Sequence, residues 1–193
     1  MGEKEKSSMY EYVKKSEYGP IKKELEEIIK SVQIEMWDKC KLTFQFQLIG
    51  SGRRHLVTRI RGGNSGYDFD YNLIIQRWGN MHNNAKIVKQ SFMDAFKKAL
   101  RGTPYSFPKD STSAITIKVI DKKQKKICRS CDFAIIYNKS CEVNHGYYYL
   151  RNNKERNIYE FVYRSINSGI EKKYIIFLKS IEDGSVLAKN TEN

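Results

Sequence analysis

Asp68 and Asp70 stand two positions apart in the run Tyr67-Asp68-Phe69-Asp70-Tyr71-Asn72-Leu73-Ile74-Ile75-Gln76, whose branched and aromatic residues read as a strand. On a strand, side chains two apart point to the same face, so the two carboxylates would lie side by side. Adjacent negative charges repel, and a divalent cation between them relieves the cost. Mg²⁺ suits such a pair, because it takes a few hard oxygen ligands and completes its shell with water and phosphate oxygens. Surface strands also carry Asp-x-Asp by chance, so the surrounding residues decide its weight. Gly50-Ser51 closes the preceding apolar run, offering a backbone that can approach closely and a hydroxyl with amides able to bind phosphate oxygens. A third acid, Asp132, interrupts Arg129-Ser130-Cys131-Asp132-Phe133-Ala134-Ile135-Ile136. In the middle of an apolar strand an acid is costly unless it pairs with Arg or Lys, or holds a metal.

Other reactive residues form weaker constellations. Cys128-x-x-Cys131 with Cys141 and His145 has zinc-type ligands. An odd separation within one strand, however, places Cys128 and Cys131 on opposite faces, whereas zinc-binding pairs sit on tight turns. Four cysteines are too few for a disulfide framework in a chain of 193 residues, so free thiols are expected. His55 and His82 read as loop histidines, and Ser51 lacks the neighbouring base of a hydrolase nucleophile. Tyr147-Tyr148-Tyr149 reads as an aromatic strand packed on the core, with base stacking by these rings and His145 as the alternative.

These residues need elements to hold them. Ser8-Met9-Tyr10-Glu11 resembles a capping box that opens a short helix, and a longer helix follows Pro20 with Ile21, Leu25, Ile28, Val32 and Met36 along one stripe. Leu42, Phe44, Phe46 and Leu48 alternate along a strand that ends at Gly50. A glycine-rich basic loop follows, then the Asp-x-Asp strand. A helix is expected from about Asn84 to Leu100, with Val88, Phe92, Phe96 and Ala99 on its apolar face. Residues 114–120 and 127–137 form a hairpin around a charged turn. Beyond it, Ile158, Phe161, Val162 and Ile166, and then Tyr174, Phe177, Leu178 and Ile181, suit two amphipathic helices, the second of which also fits a strand. The expected architecture is a single α+β domain, with a core over residues 1–150 and a helical C-terminal part over 151–193 packed on it.

Charge narrows the partners. The chain carries 35 Lys and Arg against 22 Asp and Glu, a net +13. Up to Lys30 the charges balance, but Arg53, Arg54, Arg59 and Arg61 face no acid between Ser51 and Tyr67, and twelve bases oppose three acids from Lys86 to Arg129. Such a field favours a polyanion, a nucleoside triphosphate or a nucleic acid, against the alternative of a merely solubilising surface. With 40% hydrophobic residues the chain can bury a core. It has neither a run of about 20 apolar residues nor a secretory leader, so a soluble cytoplasmic protein is expected.

Taken in order, a Gly-Ser at a strand end, Asp-x-Asp on the next strand, a helix, and an Asp on a later strand resemble the polymerase-beta-like nucleotidyltransferase superfamily. The resemblance spans roughly Ile21 to Tyr137. It implies a mixed or antiparallel sheet flanked by helices, with Gly50 and Ser51 binding the phosphates of a nucleoside triphosphate. It also implies that Asp68, Asp70 and Asp132 bind two Mg²⁺ (or Mn²⁺) ions, Asp132 helping to activate an attacking hydroxyl. A nucleoside monophosphate would then pass to an acceptor and pyrophosphate would leave, the cations stabilising the attacking and leaving oxygens. Seventeen positions separate Ser51 from Asp68, a longer link than is usual in that superfamily, and its Arg53 and Arg54 are candidates to contact the triphosphate or an anionic acceptor such as RNA. The competing expectation is a basic nucleic-acid-binding protein that keeps this fold without catalysis.

Overall fold

The computed structural model of the chain describes residues 9–81, 84–138 and 146–165. A seven-stranded mixed sheet forms its centre, built from β2 (Thr43–Ile49), β4 (Tyr67–Arg77), β5 (Lys109–Asp110), β6 (Ile115–Asp121), β7 (Lys126–Tyr137), β8 (Gly146–Asn153) and β9 (Ile158–Ser165). The main order is β2-β4-β7-β6-β5, with β8 joined to the end of β7 and β9 to β8. Only β4 and β7 run parallel; every other pairing in this sheet is antiparallel. A small ribbon of β1 (Tyr10–Tyr12) and β3 (Thr58–Ile60) lies apart from it. Two long helices, α1 (Lys15–Cys40) and α3 (Ala85–Ala99), pack on each other and on one face of the sheet, while α2 (Gly50–Arg53) is a single turn after β2.

The helices form where the apolar spacing places them. Leu25, Ile28, Val32 and Met36 are buried on α1, with Ile21 packed at the margin. Val88, Phe92 and Phe96 are buried on α3, whose first turn is capped by the Asn84 side chain accepting from the Ile87 amide at 3.1 Å. Between helices and sheet lie Phe69, Tyr71, Ile115, Ile117 and Phe133, all at 1% exposure or less. Phe133 is central, its ring 4.5 Å from Phe96 and 6.0 Å from Tyr71.

Three expectations are corrected. The long helix starts at Lys15, before Pro20. Tyr10 and Glu11 extend as β1 instead of opening a helix, because β3 offers a pairing edge and Arg59 grips Glu11 at 2.6 Å; Ser8 lies outside the described residues. Ile158, Phe161 and Val162 belong to β9, not to a helix. Their spacing suits both periods, but the run also holds Tyr159 and Tyr163, and a turn over residues 154–157, with Asn157 at φ 53°, brings β9 back along the whole of β8. The boundary drawn at residue 150 therefore falls inside β8. The remainder of the expected C-terminal helices, from Ile166 on, lies outside the described residues.

The tyrosine run is part of this hairpin. Tyr148 stacks on Tyr137 at 5.0 Å with the rings 10° from parallel, and Trp78 and Phe161 complete the cluster, so these aromatics pack on the protein itself. A buried Lys89 fastens the same hairpin. Its ammonium donates to the Ala114 carbonyl at 2.8 Å and lies 3.1 Å from Asp110, which also accepts from Tyr159 at 2.7 Å and Asn152 at 2.9 Å. Burial pulls the Lys89 ammonium down from its ordinary value, and Asp110 offsets part of that.

Candidate active site

Strict alternation along β4 buries Tyr67, Phe69, Tyr71 and Leu73 under the helices and leaves Asp68 and Asp70 on the other, open face. The same holds on β7, where Cys131 and Phe133 go inward and Ser130 and Asp132 outward. The parallel register sets Asp68 opposite Ser130 and Asp70 opposite Asp132. On the far side of β7, Lys118 faces Ser130 and Thr116 faces Asp132. Two rungs therefore cross three strands, Asp68–Ser130–Lys118 and Asp70–Asp132–Thr116, and all six residues line one hollow of about 410 Å³ with Ser65, Lys109 and Ser111.

Hydroxyl groups orient the carboxylates. Ser130 Oγ donates to Asp68 Oδ1, and Thr116 Oγ1 donates to Asp132 Oδ1 at 2.5 Å while pairing with Ser111 Oγ at 2.8 Å. Asp70 has no such donor among the described residues. Burial, reinforced by the charges of Asp132 and Asp68, pushes its carboxyl up from 3.8 to about 6. The expectation that Asp132 is enclosed by apolar neighbours is corrected: it is exposed, since the apolar residues flanking it in sequence point to the other face. No Arg or Lys pairs with it among the described residues.

Gly50 reaches the site from the neighbouring strand end. Ile49 is the register partner of Asp70, and a Cβ on Gly50 would come within 3.0 Å of Asp70 Oδ2, at a backbone φ of +62° that already favours glycine. Ser51 follows on α2, half-buried, its carbonyl accepting from the Leu56 amide at 3.0 Å. Arg53 is exposed and Arg54 half-buried, and neither lines the carboxylate hollow. The other loop arginines have structural partners: Arg59 bonds Glu11 and Glu17, each at 2.6 Å, and Arg61 lies 3.5 Å from Glu11. Half of the loop's apparent surplus is thereby neutralised at the β1–β3 ribbon. Sequence reading did not single out Lys109, Lys118, Ser111, Thr116 and Ser130. The signal for Ser130 was available, since it stands two positions before Asp132 on one strand.

Cys128 is exposed and Cys131 buried, so the pair does face opposite ways. Burial pushes the Cys131 thiol well up, which makes it inert. Cys141 and His145 lie outside the described residues. Among the described residues no three His, Cys, Asp or Glu side chains are grouped so as to hold a metal ion between them. No helix among those residues is long and apolar enough to cross a membrane.

No family model matches the chain, and no curated protein matches it in sequence. Its fold does match solved structures. The Bradyrhizobium diazoefficiens CD-NTase CdnG, solved in complex with GTP, aligns with a TM-score of 0.55 at 14% identity over 80% of this chain and 40% of that one. Vibrio cholerae DncV cyclic AMP-GMP synthase, in complex with a linear intermediate, gives 0.47 at 15% identity over 69% of this chain and 33% of its own. The GTP-bound form of DncV gives 0.48 at 14% over 84% and 40%. The chain thus spans 40% or less of the length of these structures. It shares the fold of CdnG, an α+β architecture with a mixed sheet flanked by helices, as the order of Gly50-Ser51, Asp68, Asp70 and Asp132 led one to expect.

Proposed function

We propose that the chain is the nucleotide-handling core of a nucleotidyltransferase, which passes a nucleoside monophosphate from a nucleoside triphosphate to an acceptor hydroxyl and releases pyrophosphate. One observation carries the reading: Asp68, Asp70 and Asp132 share the open face of a parallel strand pair, with Gly50 against Asp70. The solved GTP complex of CdnG, which shares the fold, supports it.

The donor set fits Mg²⁺ better than a softer ion, being three carboxylates with hydroxyls and no thiol or imidazole. The uncompensated Asp70, pushed up to about 6, is the group such an ion would relieve. When bound, Mg²⁺ supplies charge neutralisation for the phosphates and the leaving oxygen. The residues of the chain do the rest. Asp68 and Asp70 would hold the metal, and Asp132 would both ligate it and act on the acceptor. With Oδ1 of Asp132 occupied by Thr116, Oδ2 remains to take the proton of the attacking hydroxyl. Gly50 and Ser51 would approach the phosphates through backbone and hydroxyl. Lys109 and Lys118 line the hollow and place positive charge there, a position Arg53 and Arg54 do not share.

The test is direct. The full chain, incubated with labelled nucleoside triphosphates, Mg²⁺ and a panel of hydroxyl acceptors, should release pyrophosphate and label an acceptor. Asp68→Ala, Asp70→Ala and Asp132→Ala should each reduce transfer on the order of a hundredfold or more, the scale of losing a group that stabilises charge in the transition state. Independently of any acceptor, Mg²⁺ should raise the melting temperature of the wild type and not that of Asp70→Ala. Wild type and variants equally inert and equally indifferent to Mg²⁺, while still binding nucleic acid, would give the field to the non-catalytic reading.

A further inference from the structure

A second hollow, of about 530 Å³, opens where the chain between α3 and β5 passes the outer side of β6. Its charged lining is Arg101, Lys118 and Lys122, and no acid lines it. None of the three has a carboxylate partner among the described residues, in contrast to Lys98, which meets Glu35, and Arg129, which lies 3.4 Å from Glu24. The apolar lining includes Ile120, 49% exposed, and Phe107, 73% exposed. A phenylalanine so displayed is not a loose end of chain. The Ser106 amide donates to the Lys118 carbonyl at 2.7 Å, Ser106 Oγ accepts from the Lys118 amide at 3.1 Å, and Tyr105 is buried with Arg129 over its ring at 5.3 Å. The loop is fastened and holds Phe107 out.

The hollow shares lining residues with its neighbours. Phe107 also borders a third depression of about 440 Å³, lined by Gln90, Met93, Lys97 and Asp94, the last already 3.2 Å from the Lys39 ammonium, and the Lys97 ammonium lies 5.9 Å from the Phe107 ring centre. At the other end Lys118 belongs to both this hollow and the carboxylate hollow. Phe107 and Lys118 thus set three depressions in a row, a track whose last member holds Asp68, Asp70 and Asp132.

Uncompensated cations at intervals with an exposed ring between them match one chemistry well: phosphates spaced along a flexible strand, with unpaired bases free to stack. A duplex would hide its base faces from Phe107. We propose that this track docks a single-stranded nucleic acid, with phosphates on Arg101, Lys118 and Lys122, a base on Phe107, and one end directed at the carboxylates. Only the directed end rests on the transfer reading; docking does not.

The experiment measures binding of a fluorescent decanucleotide, as RNA and as DNA, by anisotropy across a salt series. The proteins are the full chain, Phe107→Ala, and Arg101→Ala with Lys122→Ala, each first shown to melt like the wild type. Phe107→Ala should weaken binding about tenfold, the scale of one lost base stack. The double variant should lower the slope of log affinity against log salt by roughly 1.4, two contacts at about 0.7 each. Binding of either sugar with these losses upholds the track. Unchanged affinity in Phe107→Ala, or a double variant that loses no more for the oligonucleotide than for inorganic polyphosphate, overturns it. Transfer activity with intact binding in the track variants sinks the track alone; tight docking without transfer sinks only the enzyme reading.

Discussion

The two faces of β4 and β7 come from alternate residues of the same strands and share almost no chemistry. Toward the helices stand Phe69, Tyr71, Cys131 and Phe133, all at 1% exposure or less. Toward the hollow stand Asp68, Asp70, Ser130 and Asp132. A period of two lets each face be specified independently, so carboxylates that repel one another can sit on a platform whose stability comes from the residues between them. A register slip of one position would bury the acids and expose the rings, so the packing of the inner face also fixes the geometry of the outer one.

The comparison breaks most sharply at adjacent positions. Phe133→Ala should cost about 3–5 kcal/mol in urea melts, because a fully buried ring stacked between Phe96 and Tyr71 leaves a cavity. Asp132→Ala, one residue away, should stay within about 0.5 kcal/mol while transfer is lost. Next in size is Lys89→Ala, which strips the half-enclosed Asp110 of its cation and should cost about 2 kcal/mol. The loss should loosen the β8–β9 hairpin first, read as faster amide exchange at Asn152 and Tyr159.

Asp70→Asn sharpens the picture of the outer face. The folded Asp70 titrates at about 6, above its ordinary 3.8, so above pH 6 the charged side chain penalises the folded state. As pH falls through 6 the folded protein takes up the proton, and the penalty is gone by about pH 4. Without Mg²⁺, Asp70→Asn should therefore be more stable than wild type by about 1 kcal/mol at pH 7.5, discounted for partial solvent screening, with no difference near pH 4. Thermal melts across that range check the sign. The smallest effect is expected at Arg59→Ala, no more than about 1 kcal/mol and fading at high salt, since both of its ion pairs are largely solvated.

Much of this contrast was legible in sequence. Leu25, Ile28, Val32 and Met36 declared α1, and the alternation around Asp68 and Asp70 declared both the strand and the shared face. Asp132 was recognisable as an acid out of place, but its exposure was not, because apolar neighbours in sequence do not reveal which face they occupy. Ile158 to Tyr163 misled for a related reason: apolar residues at 158, 161 and 162 satisfy a helical stripe, and only the partner strand across the 154–157 turn decides. Arg59 and Arg61 looked like free charge until Glu11 and Glu17, more than forty positions upstream of Arg59, were found against them. Long-range pairing also hid Lys109, Ser111, Thr116 and Lys118, which reach the site from β5, β6 and the turn between them, not from any local motif.

Asp68 and Ser130, whose side chains meet, are 62 positions apart in the chain. The pairs β2–β4 and β6–β7 can each close over shorter connections, but β4 and β7 lie parallel and meet only after α3 and β5–β6 have been accommodated between them. That junction carries the largest loop-closure entropy in the sheet and belongs late in folding. A growing polypeptide therefore displays Asp68 and Asp70 well before Asp132 exists to join them, and the three carboxylates come together only when these two strands dock.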